Sequence, residues 1–443
     1  MSDAGTAKSS AGRTVLVLGI LAVVAGIIVG FLGGAFRWLL VEAAAWREHL
    51  SEWAHGVPLG WLLVVAFGVA GAVFAAALVK LSPRASGSGI QDVEAVYRNQ
   101  LTIPPLSVVP TRFVGGLASI GSGMVLGREG PTVHMGAALG VGVGRAARLR
   151  DEDVRTLSTA MSGAGLAVAF NAPVGGSVFV LEEVAKSASY RLIVPTVLGV
   201  GAAIACARLV IGDSPDFAVH DIPVPPLGTL PMFLVFGVLL GLAGALYNVL
   251  VMSLMRLNRR MTRFSPIARA GVVGAVIGAV LYIDPLAVGG GDSLTQLLLA
   301  GQAFAVPVLV LYLTVRFLMG PLSYSAATPG GLFAPMLALG AIAGTLFGQF
   351  VQVFDPSLGT DFVIAMAIVG MSTLFAAVVR SPLTGVALIV EMTAITTVTV
   401  PMLVAAGAAV VTAMLVKSPP VYDSLREFML QGMAPRSPGS IRP

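Results

Sequence analysis

Long apolar runs dominate this chain. Those close to the roughly 20 residues that a membrane-spanning helix needs extend from Thr14 to Phe36, Trp61 to Val79, Leu192 to Val210, Leu230 to Met252, Phe362 to Val379 and Val398 to Val416. Others, such as Val272 to Tyr282 and Val306 to Leu318, are short or interrupted. The pattern predicts an all-α polytopic membrane protein, folded as one compact helical domain. Composition agrees: 56% of the residues are hydrophobic and only 11% charged, where a soluble domain carries about a quarter, and the mean hydropathy is +0.90. The 53 glycines are dispersed along the chain, and small residues let membrane helices approach closely. Thr14 to Phe36 is long and has no polar break with a small-residue cleavage site, so it reads as the first span and not as a signal peptide.

Charge sets the expected topology. Lys8 and Arg13 precede the first span, and Arg256, Arg259, Arg260, Arg263 and Arg269 form a second basic stretch without an acid. Lys417, Arg426, Arg436 and Arg442 follow the last span. The positive-inside bias puts all three on the cytoplasmic side. Between Arg208 and Arg256 there is no Lys or Arg, and Ile211 to Pro226 holds Asp213, Asp216, Asp221 and four prolines, as an outside loop would. The expected organisation is a cytoplasmic N-terminal tail at 1–13, a transmembrane domain at 14–430 and a C-terminal tail at 431–443. Its first half covers about 14–210, the outside linker about 211–227 and the second half about 228–430. The net charge of +5 lies in these membrane-flanking loops and forms no nucleic-acid patch.

Halves of opposite polarity are what an inverted repeat requires. Pro131, Gly136, Gly140 and Gly144 match Pro335, Gly340, Gly344 and Gly348 at an offset of 335 − 131 = 204. Pro173, Gly176 and Glu182 match Pro382, Gly385 and Glu391 at 382 − 173 = 209. Inverted repeats build a midplane site from broken helix ends, and four such ends are visible. They are Gly87-Ser88-Gly89-Ile90 before the polar stretch Gln91 to Gln100, Glu129-Gly130-Pro131, Gly331-Leu332-Phe333-Ala334-Pro335, and Pro419-Pro420-Val421-Tyr422. Converging helix N-termini and hydroxyls in a dry environment favour an anion.

Gly127-Arg128-Glu129-Gly130-Pro131 carries the chemistry. An ionisable residue in a membrane segment is a functional candidate. Pro131 suits a helix's first turn, so a helix beginning at Glu129 or Gly130 aims its positive end at the carboxylate, and the bare glycines let free N–H groups approach a small anion. Adjacent helical residues do not face each other, which argues against a simple Arg128–Glu129 pair. A carboxylate out of water and beside anions takes up a proton more readily than a solvated one. The lone Cys206 forms no disulfide framework, His49, His55, His134 and His220 lack metal-ligand spacing, and no cofactor is expected.

These motifs, taken together and in order with the late tyrosine Tyr422, resemble the CLC family of chloride transporters and channels over nearly the whole chain. The resemblance implies a CLC-type inverted-topology repeat with broken, tilted helices, and a homodimer with one anion pathway per subunit. It implies a chloride-binding set of Ser88, Gly130, Leu332, Phe333 and Tyr422, with Glu129 as a gate that swings into the anion's place. The family's exchangers relay protons through a second glutamate, and in Phe179-Val180-Leu181-Glu182-Glu183 the corresponding position is Glu183; Glu182, the partner of Glu391, reads as structural. The implied function is chloride/proton antiport. Its partners are chloride, protons and the lipid bilayer, and its setting is a bacterial plasma membrane with both termini cytoplasmic. Gln91 departs from the proline common after the first signature, while Ser88 resembles chloride-preferring members. About twenty residues follow Tyr422, so no cytoplasmic regulatory domain is expected.

Two other readings compete. A passive chloride channel on the same fold would use Glu129 only as a gate. An intramembrane aspartyl protease would need Gly289-Gly290-Gly291-Asp292 and Tyr422-Asp423, but their order is reversed for that class, Tyr-Asp lies in a polar tail, and Asp292 follows a Gly-rich break as a loop residue would. No His-Glu-x-x-His stands in the chain for a zinc protease.

Overall fold

The computed structural model describes the backbone of residues 3–433 and the side chains of residues 12–433. Arg436, Arg442 and the Lys8 side chain, on which part of the expected topology rests, lie outside the described residues. The first half comprises α1 (Asp3–His55), α2 (Gly60–Leu81), α3 (Ile90–Tyr97), α4 (Val108–Gly121), α5 (Glu129–Ala146), α6 (Asp151–Phe170), α7 (Pro173–Phe179) and α8 (Tyr190–Ile211). The second comprises α9 (Leu230–Arg260), α10 (Pro266–Ile283), α11 (Asp292–Leu299), α12 (Val306–Ser325), α13 (Phe333–Phe354), α14 (Thr360–Val379), α15 (Pro382–Thr393) and α16 (Thr399–Leu415), and α17 (Val421–Met433) is the last of the described helices.

Eight of the described helices are long and apolar enough to cross a membrane. The two runs that read as short or interrupted are full helices, α10 and α12, because Pro266 sits at a helix start and Arg316 is carried inside without breaking its helix. α13 is a further apolar helix of spanning length, entered through the Gly-Leu-Phe-Ala-Pro break. α1 is far longer than its apolar run, and Asp292 opens a helix instead of lying in a loop.

The repeat is an inverted one, and it is visible in contacts as well as in order. Elements α1 to α8 and α9 to α16 follow the same succession of long and short helices. Gly127 and Gly331, separated by 331 − 127 = 204, exchange N–H···O bonds of 2.9 and 2.8 Å in an isolated antiparallel bridge where the halves meet. Arg112 and Arg316, 316 − 112 = 204 apart, are both fully buried, and each donates to the carbonyls of the loop before a short helix: Gly87 and Ser88 for Arg112, Leu286, Val288 and Gly289 for Arg316. Two carboxylates are swapped between the halves. Glu391 accepts from the amides of Val174 and Gly175 at 2.9 and 2.8 Å, and Glu182 accepts from those of Leu383 and Thr384 at 3.1 and 2.6 Å. Each acid satisfies the open N–H groups at a helix start in the opposite half. Glu182 thus has a structural contact like that of Glu391.

Close helix approach explains the matched glycines. A Cβ on Gly136 of α5 would strike the Met161 carbonyl of α6, and one on Gly340 of α13 would strike the Gly370 carbonyl of α14. α14 is buried over its whole apolar window, whereas α2 is buried over 28% of its own. A helix apolar on all sides and encircled by protein belongs to the centre, and α14 backs the helix start that carries Phe333.

Gly340→Val is therefore expected to destabilise the protein by about 1–3 kcal/mol through overpacking, while Gly407→Val, at a position with no neighbour within 4 Å, leaves it unchanged. Thermal unfolding of the two variants in detergent checks the contrast.

Candidate functional site

Three helix starts converge at the bridge between the halves. Glu129 begins α5 and Phe333 begins α13, and the Phe333 amide donates to Glu129 Oε1 at 2.7 Å. The carboxylate is fully buried and its other oxygen, Oε2, has no hydrogen-bond partner. Bare backbone makes its place, since a Cβ on Gly127 or Gly331 would collide with its oxygens. Gly130, next in α5, packs against the backbone and hydroxyl of Ser88, and Leu332 is the fully buried residue that caps α13.

The Ser88 turn is held from behind. Gly89 takes φ +87°, in the region that favours glycine, and starts α3. Arg112 donates to the carbonyls of Ser86, Gly87 and Ser88 at 3.1, 2.5 and 2.9 Å, and to His134 Nδ1 at 2.9 Å. His134 Nε2 lies 3.1 Å from Asp92, which binds Arg84. The Ser88 amide donates to the Tyr324 hydroxyl at 3.3 Å, and the buried Gln91 side chain stands beside that hydroxyl. Gln91 at the expected proline position thus adds a polar contact under the Ser88 turn and leaves α3 intact.

Opposite Ser88, Tyr422 stands in the first turn of α17 and is fully buried. The two hydroxyls are neighbours, and neither oxygen has a hydrogen-bond partner of normal geometry. Two donors out of water are thereby free to turn toward a third group. The Phe333 ring completes this wall, 5.7 Å from the Tyr422 ring centroid, 4.6 Å from that of Phe375 and 5.9 Å from that of Phe179. Ser88, Glu129, Gly130, Leu332, Phe333 and Tyr422 are thus brought together from four helix starts, those of α3, α5, α13 and α17.

Glu183 stands apart from them, in one turn of π-helix at Val180–Val184. Ser381 donates to its Oε2 at 2.7 Å, and its Oε1 has no hydrogen-bond partner. With Glu182, Lys186 and Arg380 it lines a surface cavity of about 480 Å³. On the Glu129 side a second cavity, of about 370 Å³, is lined by Arg37, Arg47, Arg128, Asp216 and Asp292. Arg128 turns to Asp216 at 2.9 Å and to Asp292 at 3.7 Å, and donates to the Ala169 carbonyl. The acids bound by Arg128 are therefore these two, and no ion pair joins it to Glu129.

Several residues of this machinery went unread in the sequence. Arg112 and Arg316, lone charges in apolar helices at the repeat offset, carried a usable signal. Glu94 and Asp216 did not, since one sits in a polar stretch and the other in a loop. Asp292 and Asp423, the pair an aspartyl protease would require, serve separate ion clusters, Asp292 at Arg128 and Asp423 at Lys186 and Arg426. Burial would raise the Asp423 carboxyl, but the Lys186 hydrogen bond and the charges of Lys186 and Arg426 outweigh it and hold it below the usual carboxylate range.

The family model described as "Voltage gated chloride channel" matches residues 70–414. The chain belongs to this CLC family. It is 34% identical over 428 residues to the "H(+)/Cl(-) exchange transporter ClcA" of Salmonella arizonae, covering 93% of this chain and 89% of that one. To the exchange transporter of the same name from Vibrio parahaemolyticus it is 35% identical over 429 residues, covering 94% and 90%. Among solved structures, a slow cyanobacterial Cl−/H+ antiporter superposes with a TM-score of 0.89 at 30% identity, covering 94% of this chain and 98% of that one. A CLC-type fluoride/proton antiporter, at 21% identity and a TM-score of 0.75, shares the fold.

A methyl at position 331 should displace the CLC carboxylate without touching its charge. A crystal structure of Gly331→Ala is expected to show Glu129 Oε1 lifted off the Phe333 amide, with α5 and α13 otherwise in place.

Proposed function

We propose that this protein exchanges chloride for protons across a membrane, with Glu129 as both the gate and the carrier of the proton. The observation that carries this reading is the Glu129 carboxylate seated on the Phe333 amide, at the point where a permeating anion would need the same donor. An ionised carboxylate makes a strong charge-assisted bond there. A protonated one loses that advantage, leaves the amide and admits an anion, and deprotonation brings it back to displace one. One group thus couples the two ions. Chloride then meets the Ser88 and Tyr422 hydroxyls, which offer partial positive charge without a full cation that would trap it, with the Gly130, Leu332 and Phe333 backbone beside it.

Glu183 passes the proton to or from the other face, supported by its place on an open cavity with one carboxylate oxygen unengaged. The curated relatives are named as exchangers and the 30%-identical structure as an antiporter, which favours exchange over a passive channel. The reading includes a multi-pass protein of the bacterial plasma membrane with both termini cytoplasmic, supported by the basic Arg256 to Arg269 stretch and the acidic Ile211 to Pro226 linker. It also includes a homodimer with a pathway in each copy, as the family resemblance implies.

Reconstituted in liposomes under an imposed chloride gradient, with the potential clamped near zero by an ionophore, the protein is expected to move protons uphill. Chloride flux without protons would make it a channel. Glu129→Gln is expected to abolish proton movement while chloride still passes, and coupled pumping by that variant would remove Glu129 from the mechanism. Glu183→Gln should likewise stop protons and spare chloride. Ser88→Ala removes one hydrogen bond to an anion, about 1.5–3 kcal/mol, and should weaken chloride binding measured by calorimetry in detergent by at least about tenfold.

A further inference from the structure

Four charged side chains tie together the three elements that hold Ser88, Tyr422 and Glu183. Glu94 belongs to α3, which the Ser88 turn begins; Asp423 and Arg426 belong to α17, which carries Tyr422; Lys186 follows the turn of Glu183. Arg426 Nη1 lies 2.7 Å from Glu94 Oε2 and 2.7 Å from Asp423 Oδ1. Lys186 Nζ lies 3.0 Å from Asp423 Oδ2 and 4.0 Å from Glu94 Oε1. The Glu94 side chain is fully buried, while those of Lys186 and Asp423 are 33% and 25% exposed.

Lys186 and the buried Glu183 line the same cavity, and Glu183 keeps one oxygen without a hydrogen bond. The charged and polar groups around this point are Glu94 on α3 and Arg98 just after it, Asp423 and Arg426 on α17, Glu182 in the same turn, and Arg380 and Ser381 before α15. Glu94 and Asp423 against Lys186 and Arg426 sum to zero. A neutral Glu183 leaves that balance untouched, whereas an ionised Glu183 adds one negative charge and competes with Asp423 for the same ammonium.

We propose that Lys186 is a positioning residue of the exchange, a two-partner switch that holds α17 through Asp423, and so Tyr422 against Ser88, while Glu183 is protonated, and releases it when Glu183 loses its proton. The switch rests on the antiport reading above. It gives the proton site a physical lever on the anion path: a ligand shifts a two-state element only by its differential interaction with the two states, and here the ammonium has one partner in each. The Arg426–Glu94 pair is the fixed point about which α17 moves, since its acid is wholly buried on α3.

The test uses the purified full chain in liposomes and reads the chloride-to-proton ratio. Lys186→Met is expected to raise that ratio about threefold, a factor that a part-exposed ion pair can supply, with chloride flux undiminished because Tyr422 is freed. Lys186→Arg, which can still bridge to Asp423, should return the ratio toward the unsubstituted value. Asp423→Asn breaks the same bridge from α17 and should raise the ratio as well. If Lys186→Met does not elute from size exclusion like the unsubstituted protein, the ratio for Asp423→Asn decides. An unchanged ratio, or equal slowing of both ions as a packing residue would cause, overturns the switch and leaves the antiport reading standing. An unsubstituted protein that moves chloride without protons overturns both.

Discussion

Everything near the centre of this protein follows from the hydrogen bond between the Phe333 amide and Glu129. A carboxylate with no water around it needs donors, and here they come from helix starts that face each other because the two halves run in opposite directions. The Gly127–Gly331 bridge sets the distance between those helix starts, and glycine at both positions leaves the gap into which the carboxylate fits. Close packing of α5 on α6 and of α13 on α14 holds the starts rigidly, so a group on the amide is replaced and not merely displaced.

The inverted repeat solves a problem that each half has alone. A helix that begins inside a membrane leaves open N–H groups, which are costly away from water. The swap of Glu182 and Glu391 closes two such starts with acids from the opposite half, and Arg112 and Arg316 close the carbonyls of two matching turns. The buried polar atoms left without a hydrogen bond include the Ser88 and Tyr422 hydroxyls and one oxygen each of Glu129 and Glu183. The repeat is therefore symmetrical in its structural contacts and asymmetrical in its chemistry: Ser88 is matched by a glycine, Gly290, in the other half.

The two cavities on either side of the site differ in what they offer. The one beside Glu129 is lined by three arginines, two of which share Asp216, and by three acids, Glu48, Asp216 and Asp292. The one beside Glu183 is a shallow opening bounded by acids and two cations. Between the carboxylates stand the rings of Phe179, Phe333 and Tyr422. An apolar wall of this kind is a costly place for a bare ion.

By itself the sequence determined the helical membrane fold, the inverted repeat and the motifs within which α3, α5, α13 and α17 begin, because these rest on composition, on proline and glycine positions and on offsets along one chain. Hydropathy ran out at α10, α12 and α13, where a charge, a glycine run or a proline interrupts an apolar stretch whose helix is completed by neighbours. Only the tertiary structure decided which charges meet. Arg128 stands beside Glu129 in sequence, yet pairs with Asp216 and Asp292. Glu94, Lys186, Asp423 and Arg426 come from three distant segments and form one cluster. Pairing of buried charges depends on where side chains end in space, and a local pattern of residues carries no record of that.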